Sequence, residues 1–273
     1  MCRDRLAVDG RTLICPLGHR FDLARQGYAP LLSGRGRAHR SDTAPMVAAR
    51  RRILDAGVFA AVQRELAAHT DPASSSIVDA GAGTGHYLAS VLDAAPEAHG
   101  IGIDLSKYCA RACARASERA ISVVADLWEG LPVRSGTADA VLSVFAPRNL
   151  AETARILAPG GRWLIVTPNP GHLHQVREEL GMLRIGAEKL ERLHRDLAGG
   201  GFVVNAAVPV VSTVVLTAAR LADLAGMGPA GHHRTESELA AAAAHVAGAA
   251  GEHPVTLDVT LTVAHVDRPH DRS

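Results

Sequence analysis

VDAGAGTGHYLA, residues 78–89, is the stretch that decides the fold of this chain. It follows directly on Ser76 and Ile77, so that SIVDAG reads as a short apolar strand delivering Asp79. Gly81, Gly83 and Gly85, at every second position, let the backbone turn sharply and approach a ligand. HYLASVLDAA then reads as a helix, so the turn ends at a helix N-terminus, where backbone N–H groups point at whatever is bound. G-x-G-x-G alone is shared by nucleotide-binding folds of several kinds. The chain has no G-x-x-x-x-G-K-[ST], which excludes a P-loop, and the turn lacks the third-glycine spacing of G-x-G-x-x-G.

Downstream, strand and helix patterns alternate. HGIGIDLS reads as a second strand ending in Asp104, which lies 21 residues after Gly83. A carboxylate there can accept both hydroxyls of a ribose. KYCARACARASERA reads as a helix and ISVVAD as a third strand, whose Asp126 falls where an adenine amine would lie. DAVLSVFA, LAETARILA and PGGRWLIVTPN read as strand, helix and strand. This alternation predicts a parallel sheet with helices on both faces. The end differs: VVSTVVLT is a sixth strand, and PVTLDVTLTVAHV places Val255, Leu257, Val259, Leu261 and Val263 on one face, as in antiparallel pairing.

Upstream, residues 46–70 carry Ile53, Leu54, Val58, Val62 and Leu66 at helical spacing. Residues 33–45, SGRGRAHRSDTAP, are small, basic and turn-rich and read as a linker. Residues 1–52 hold eleven arginines against four aspartates, whereas the whole chain of 273 residues carries only +1. Such asymmetry suggests a polyanion met by the N-terminal part, with Arg35, Arg37, Arg40 and Arg50–Arg52 as phosphate contacts. Four cysteines are too few for a disulfide scaffold of this size. The start lacks the apolar run of a signal peptide. Pro209 and Asn205 interrupt residues 202–221, which read as a loop and a buried strand rather than a membrane span. A cytoplasmic protein without membrane contact is expected.

Residues 77–170, with the glycine turn, Asp79, Asp104 and Asp126, resemble S-adenosylmethionine-dependent class I methyltransferases. That resemblance implies an α/β, Rossmann-like fold with a seven-stranded, mostly parallel sheet. The fourth strand is followed by SVFAPRN, residues 143–149, where enzymes acting on exocyclic adenine amines carry [DN]-P-P-[YF]. Pro147, Arg148 and Asn149 are therefore candidates for an acceptor pocket, and Arg148 for stabilising charge that develops on the acceptor.

The strings C-P-L-G-H-R-F-D-L-A-R-Q-G-Y-A-P-L-L, MVAARRRILDAGVF, FAPRN and VTPNPGHL extend the likeness over almost the whole chain. Together they resemble the 23S rRNA (guanine-N1)-methyltransferases, nearest to the macrolide (tylosin and mycinamicin) resistance methylases. The resemblance implies methyl transfer from S-adenosylmethionine to N1 of a guanine in the hairpin-35 loop of 23S rRNA. It implies cofactor contacts by Phe59, Asp79, Gly81, Gly83, Thr84, Gly85, Asp104, Asp126 and His172. It also implies a Zn(2+) knuckle, with Cys2, Cys15 and His19 matching the second, third and fourth ligands. The first ligand would fall three residues before Cys2, which implies either a start further upstream or the loss of one ligand. The expected division is 1–32 as a zinc-binding RNA-recognition unit, 33–70 as basic linker and helix, and 71–273 as the methyltransferase domain, with pairing into a homodimer. Cys109 and Cys113 read as small core residues. Two other readings stand beside this one: a small-molecule methyltransferase of antibiotic biosynthesis, and an RNA-binding protein that keeps the fold only as scaffold.

Overall fold

The computed structural model describes residues 6–32 and 41–268. Cys2, Arg35, Arg37 and Arg40 therefore lie outside the described residues. The N-terminal unit opens with β1 (Ala7–Asp9), β2 (Thr12–Ile14) and β3 (Arg20–Asp22), a small antiparallel sheet. The Cys15–His19 stretch turns between β2 and β3. β4 (Tyr28–Pro30) then leaves this small sheet and pairs in parallel with a strand nearly a hundred residues away.

The expected helix over 46–70 is two helices, α1 (Ala44–Asp55) and α2 (Ala60–Ala68). Pro45 enters at the first turn of α1, where its missing N–H costs nothing. Gly57, at φ +71°, breaks the run between the two. The alternating core follows as β5 (Ser76–Ala80), α3 (His86–Ala94), β6 (His99–Asp104), α4 (Lys107–Cys113), β7 (Ala120–Val124), β8 (Ala138–Val144), α5 (Leu150–Ile156) and β9 (Leu157–Pro168). α6 (Lys189–Gly199), β10 (Phe202–Thr217), α7 (Ala218–Gly226), α8 (Glu236–Ala247) and β11 (Glu252–Val266) complete it.

These strands form one sheet in the order β10-β11-β9-β8-β5-β6-β7-β4. The expectation of seven strands is corrected to eight. The addition is β4, a three-residue segment of the N-terminal unit that extends the β7 edge. β5 through β9 pair in parallel, while β11 runs antiparallel to β9 and to β10. Successive residues of a strand face opposite sides, so Ile77 joins one apolar layer with Ile53, Leu66 and Leu88, and Val78 joins the other with Val141, Trp163 and Leu197. Trp163 is fully buried, and its indole N–H donates to the Ser143 hydroxyl at 3.0 Å. Val255, Leu257, Val259, Leu261 and Val263 are buried on one face of β11 as their alternation predicts.

Residues 202–217 form one long edge strand rather than loop plus buried strand, with Val203, Val211 and Val215 exposed. Among the described residues no helix is long and apolar enough to cross a membrane. β10 and β11 are antiparallel neighbours, but α7 and α8 connect them in place of a tight turn. Thr235 opens α8 with a capping box closed by Glu238. The sheet changes direction of growth at β5, which lies between β6 and β8. In such sheets the crevice at the strands' C-terminal ends is where ligands sit.

Candidate active site

The ends of β5, β6, β7 and β8 converge there on a cavity of about 700 Å³. The turn from β5 to α3 forms its floor. Gly81 sits at φ +95°, and a Cβ on it would stand 2.4 Å from the Ala146 Cβ. Only glycine lets this turn lie against the loop that follows β8. Asp104, ending β6, accepts the Gly83 N–H at 2.9 Å and the Ser106 N–H at 2.8 Å. Its carboxylate thereby ties the glycine turn to the neighbouring strand. Burial raises its pKa, against the pull of these two hydrogen bonds. Asp126, just past β7, accepts the Trp128 N–H at 2.9 Å and lines the cavity with Leu127 and Trp128.

Asp79 and Gly85 stand behind this lining. Asp79 is buried and neither carboxylate oxygen has a hydrogen-bond partner. Burial, with the charge of Asp104 adding to it, pushes its pKa up to about 8. A buried unpaired carboxylate is costly, and a cationic ligand group seated on the glycine turn offsets that cost. A cradle floored by glycine, a carboxylate for a ribose and an orphaned acid for an amino group fit S-adenosylmethionine.

The far end of the cavity is aromatic. Phe59, Phe145 and His172 surround one another, with ring centroids 5.8, 5.9 and 6.2 Å apart. Phe145 is held at φ +54° and remains 41% exposed, although most of β8 is buried. The His172 Nδ1 accepts the Asp258 N–H at 3.2 Å. Burial pulls its pKa down to about 4. The imidazole is therefore neutral near pH 7, with its proton on Nε2. Met182, Leu183, Ile185, Leu224 and Met227 add an apolar wall.

The structure thus gathers Phe59, Gly81, Gly83, Thr84, Asp104, Asp126 and His172 around one cavity, with Asp79 and Gly85 just behind. Arg148 is not among the lining residues. It is half-buried, and burial lowers its pKa, with Asp196 and Arg192 of α6 as charged neighbours. Lys189 lies close enough to be pulled down by burial and by Arg148 and Arg192. His86 bridges Thr84 at 2.8 Å and Asp55 at 2.9 Å and lines a separate, smaller pocket.

Arg50, read from sequence as a phosphate contact, is a wall of the cavity. It forms an ion pair with Asp42, donates to the Met227 carbonyl at 2.8 Å, and approaches Gly83. Arg52 is paired with Asp223. Sequence reasoning also missed Phe145, Arg177 and the apolar wall from residues 181–185 and α7. Phe145, an aromatic directly after the apolar run of β8, was the one signal the sequence offered for any of these.

In the N-terminal unit the Cys15 Sγ and His19 Nδ1 lie 3.1 Å apart, and the backbone closes around them through Cys15 N–H to His19 O and Gly18 N–H to Cys15 O. Two ligands of one tetrahedral zinc stand about 3.5 Å apart at usual bond lengths. A few tenths of an ångström of adjustment brings this pair to that spacing, so it suits two of the four ligand positions of a zinc. Among the described residues no third ligand joins them, Cys2 lying outside. Cys109 and Cys113 are buried in the core as expected, with burial pushing the Cys113 thiol up to about 12.

The fold and the glycine turn define a class I S-adenosylmethionine-dependent methyltransferase, and a family model for a methyltransferase domain matches residues 77–161. A second model, a zinc ribbon described as RlmA, N-terminal, matches residues 1–35. The 23S rRNA (guanine(748)-N(1))-methyltransferase of Streptomyces fradiae is 43% identical, over 96% of this chain and 94% of its own. A putative 23S rRNA (guanine-N(1)-)-methyltransferase of Micromonospora griseorubida is 38% identical, over 94% and 91%. The chain belongs to the 23S rRNA (guanine-N1)-methyltransferase family. Among solved structures, a putative methyltransferase complexed with the Trm112 activator of Haloferax volcanii superposes with TM-score 0.52. It is 21% identical, over 85% of this chain and 100% of that one, a likeness of fold alone.

Proposed function

We propose that this protein methylates N1 of a guanine in the hairpin-35 loop of 23S rRNA, and that the modification confers macrolide resistance. One observation carries the reading: a single cavity runs from a floor suited to S-adenosylmethionine to an aromatic end suited to a flat base. S-adenosylmethionine supplies a methyl carbon made electrophilic by its sulfonium sulfur. The chain has to seat that donor, bring N1 in line and exclude water. Gly81, Gly83, Thr84 and Gly85 cradle it with Asp79 beneath. Asp104 takes its ribose and Asp126 its adenine end, with Phe59 and His172 against the reacting side.

A base in a hairpin loop leaves its stack at small cost and is held by aromatic side chains. Phe145, exposed at the mouth, is placed for that. Arg148, Lys189 and Arg192 present positive charge next to the cavity for the flanking phosphates. Residues 1–32 serve as the RNA-recognition unit, with zinc held by Cys2, Cys15 and His19. Residues 33–70 are basic linker and helix, and residues 71–273 the methyltransferase domain. The reading includes pairing of two copies and a place in the cytoplasm, where ribosomes are.

The test is transfer of labelled methyl from S-adenosylmethionine to a 23S rRNA hairpin fragment, followed by digestion to nucleosides. N1-methylguanosine is expected. Label absent from RNA but present in a small-molecule acceptor would overturn the reading in favour of an antibiotic-biosynthesis enzyme. Growth in macrolide by a sensitive host carrying the gene tests the resistance role.

A further inference from the structure

Arg177 belongs to the segment that follows β9. It lies in the cavity wall beside His172, and its charge bears on that imidazole. Its guanidinium is anchored on one side, where Nη2 donates to the Pro170 carbonyl at 2.8 Å. The other terminal nitrogen, Nη1, is buried without a hydrogen-bond partner. An enclosed, unbonded donor on a charged group is costly. A turn of the guanidinium that brings Nη1 to an acceptor atom in the cavity removes that cost. His172 contributes a second donor, because its Nδ1 is occupied by the Asp258 N–H and its proton stands on Nε2. This end of the cavity therefore offers donors.

Guanine is the base with two adjacent acceptors, O6 and N7, on one edge, and arginine is their commonest specific partner. Adenine offers N7 beside an amine and would oppose the same donors. We propose that Arg177 is the guanine-reading residue of the acceptor subsite, donating to O6 and N7 with His172 as the neighbouring donor and leaving N1 free for the methyl group. The inference rests on the guanine-N1 reading above and deepens it.

N1 gives its proton up to bulk solvent as the base is seated, before the transfer. The electron pair left on N1 forms the new bond to the methyl carbon. The carbon–sulfur bond breaks with its electrons remaining on sulfur. While N1 is deprotonated the charge spreads to O6, where the guanidinium offsets it. Arg148, the candidate for that role from sequence, stands apart from the cavity lining.

The experiment uses the full chain and hairpin RNAs carrying either guanine or 7-deazaguanine at the target position, the latter lacking only the N7 acceptor. Wild type, Arg177→Gln and Arg177→Lys are compared by kcat/KM, with S-adenosylmethionine affinity and Tm measured separately. Loss of the bidentate contact, at about 1–3 kcal/mol, predicts a fall of roughly 5–150-fold for Arg177→Gln on the guanine hairpin. Cofactor affinity and Tm should be unchanged. The wild type should lose activity on 7-deazaguanine, whereas Arg177→Gln should be indifferent to it, and Arg177→Lys should fall between. Arg177→Gln as active as wild type, or as sensitive to the N7 deletion, overturns the proposal. So does a wild type indifferent to that deletion, or a variant that loses cofactor affinity or stability in step with activity, which marks a structural role. Wild type that forms no N1-methylguanosine on the guanine hairpin overturns the reading beneath, and this inference with it.

Discussion

Replacing Gly81 by alanine tests whether the glycine turn is dictated by contact or only by backbone freedom. An added Cβ would meet the Ala146 Cβ at 2.4 Å, where ordinary contact begins at 3.4 Å, and φ is +95°. The positive φ costs about 1–2 kcal/mol for a non-glycine residue. Overpacking against Ala146 adds about 1–3 kcal/mol. Gly160 is the control, since it sits at φ +74° with nothing within 4 Å. Gly160→Ala should show the backbone cost alone. Gly81→Ala should lose more stability in urea unfolding and most of its S-adenosylmethionine affinity in calorimetry, because the turn must move off the loop after β8. Ala146→Gly removes the opposing Cβ and leaves the Ala146 Cα at 3.7 Å. In the Gly81→Ala background it should restore about 1–3 kcal/mol, read as a coupling energy between the two sites. Gly81→Ala matching Gly160→Ala, with no coupling to Ala146→Gly, would refute the contact argument.

Other expectations follow from the same geometry. The purified protein should carry one zinc per chain by elemental analysis. Cys15→Ser should lose both the metal and tight hairpin binding while keeping cofactor affinity, and metal content unaffected by that change would contradict the knuckle. Asp79, ordinarily near 3.8 and raised to about 8, is protonated in the folded chain where the unfolded chain is not, so stability falls as pH rises through that window and levels off above it. His172, lowered from 6.5 to about 4, acts oppositely, costing stability as pH falls from 6.5. From pH 6.5 to about 8 the His172 contribution is complete while that of Asp79 is still changing, so the ligand-free Tm should decline there more steeply in wild type than in Asp79→Asn. Changing Arg35, Arg37 and Arg40 together to glutamine should lower the slope of log affinity against log salt for the hairpin by about 2 units, at roughly 0.7 per lost phosphate contact. An unchanged slope would make the stretch a solvated linker.

The glycine-turn end of the cavity was legible because local rules dictate its placement. A glycine turn, an acid at the end of the next strand and another after the third are all fixed by strand-to-helix geometry, and Asp79, Asp104 and Asp126 stand where that geometry puts them. The aromatic end was not legible, because its walls come from segments that meet only through tertiary packing. Arg50 looked like one of three equivalent arginines, and nothing local distinguishes the one that turns inward to Asp42. Arg177 and the residues at 181–185 follow β9 without a periodic pattern. β4 was invisible for a different reason: three residues carry no alternation, and only the free edge of β7 makes them a strand. α7 and α8 were hidden by alanine-rich composition, which blurs the contrast between their faces.

The most direct test of the account is primer extension on 23S rRNA from cells that lack their own guanine-N1 methyltransferase, with and without this gene. A methyl group on N1 blocks the Watson–Crick face, so a strong stop at a guanine in the hairpin-35 loop, present only with the gene and abolished by Gly81→Ala, is the predicted result. Full read-through of that loop in cells that accumulate the folded, S-adenosylmethionine-binding protein would contradict it.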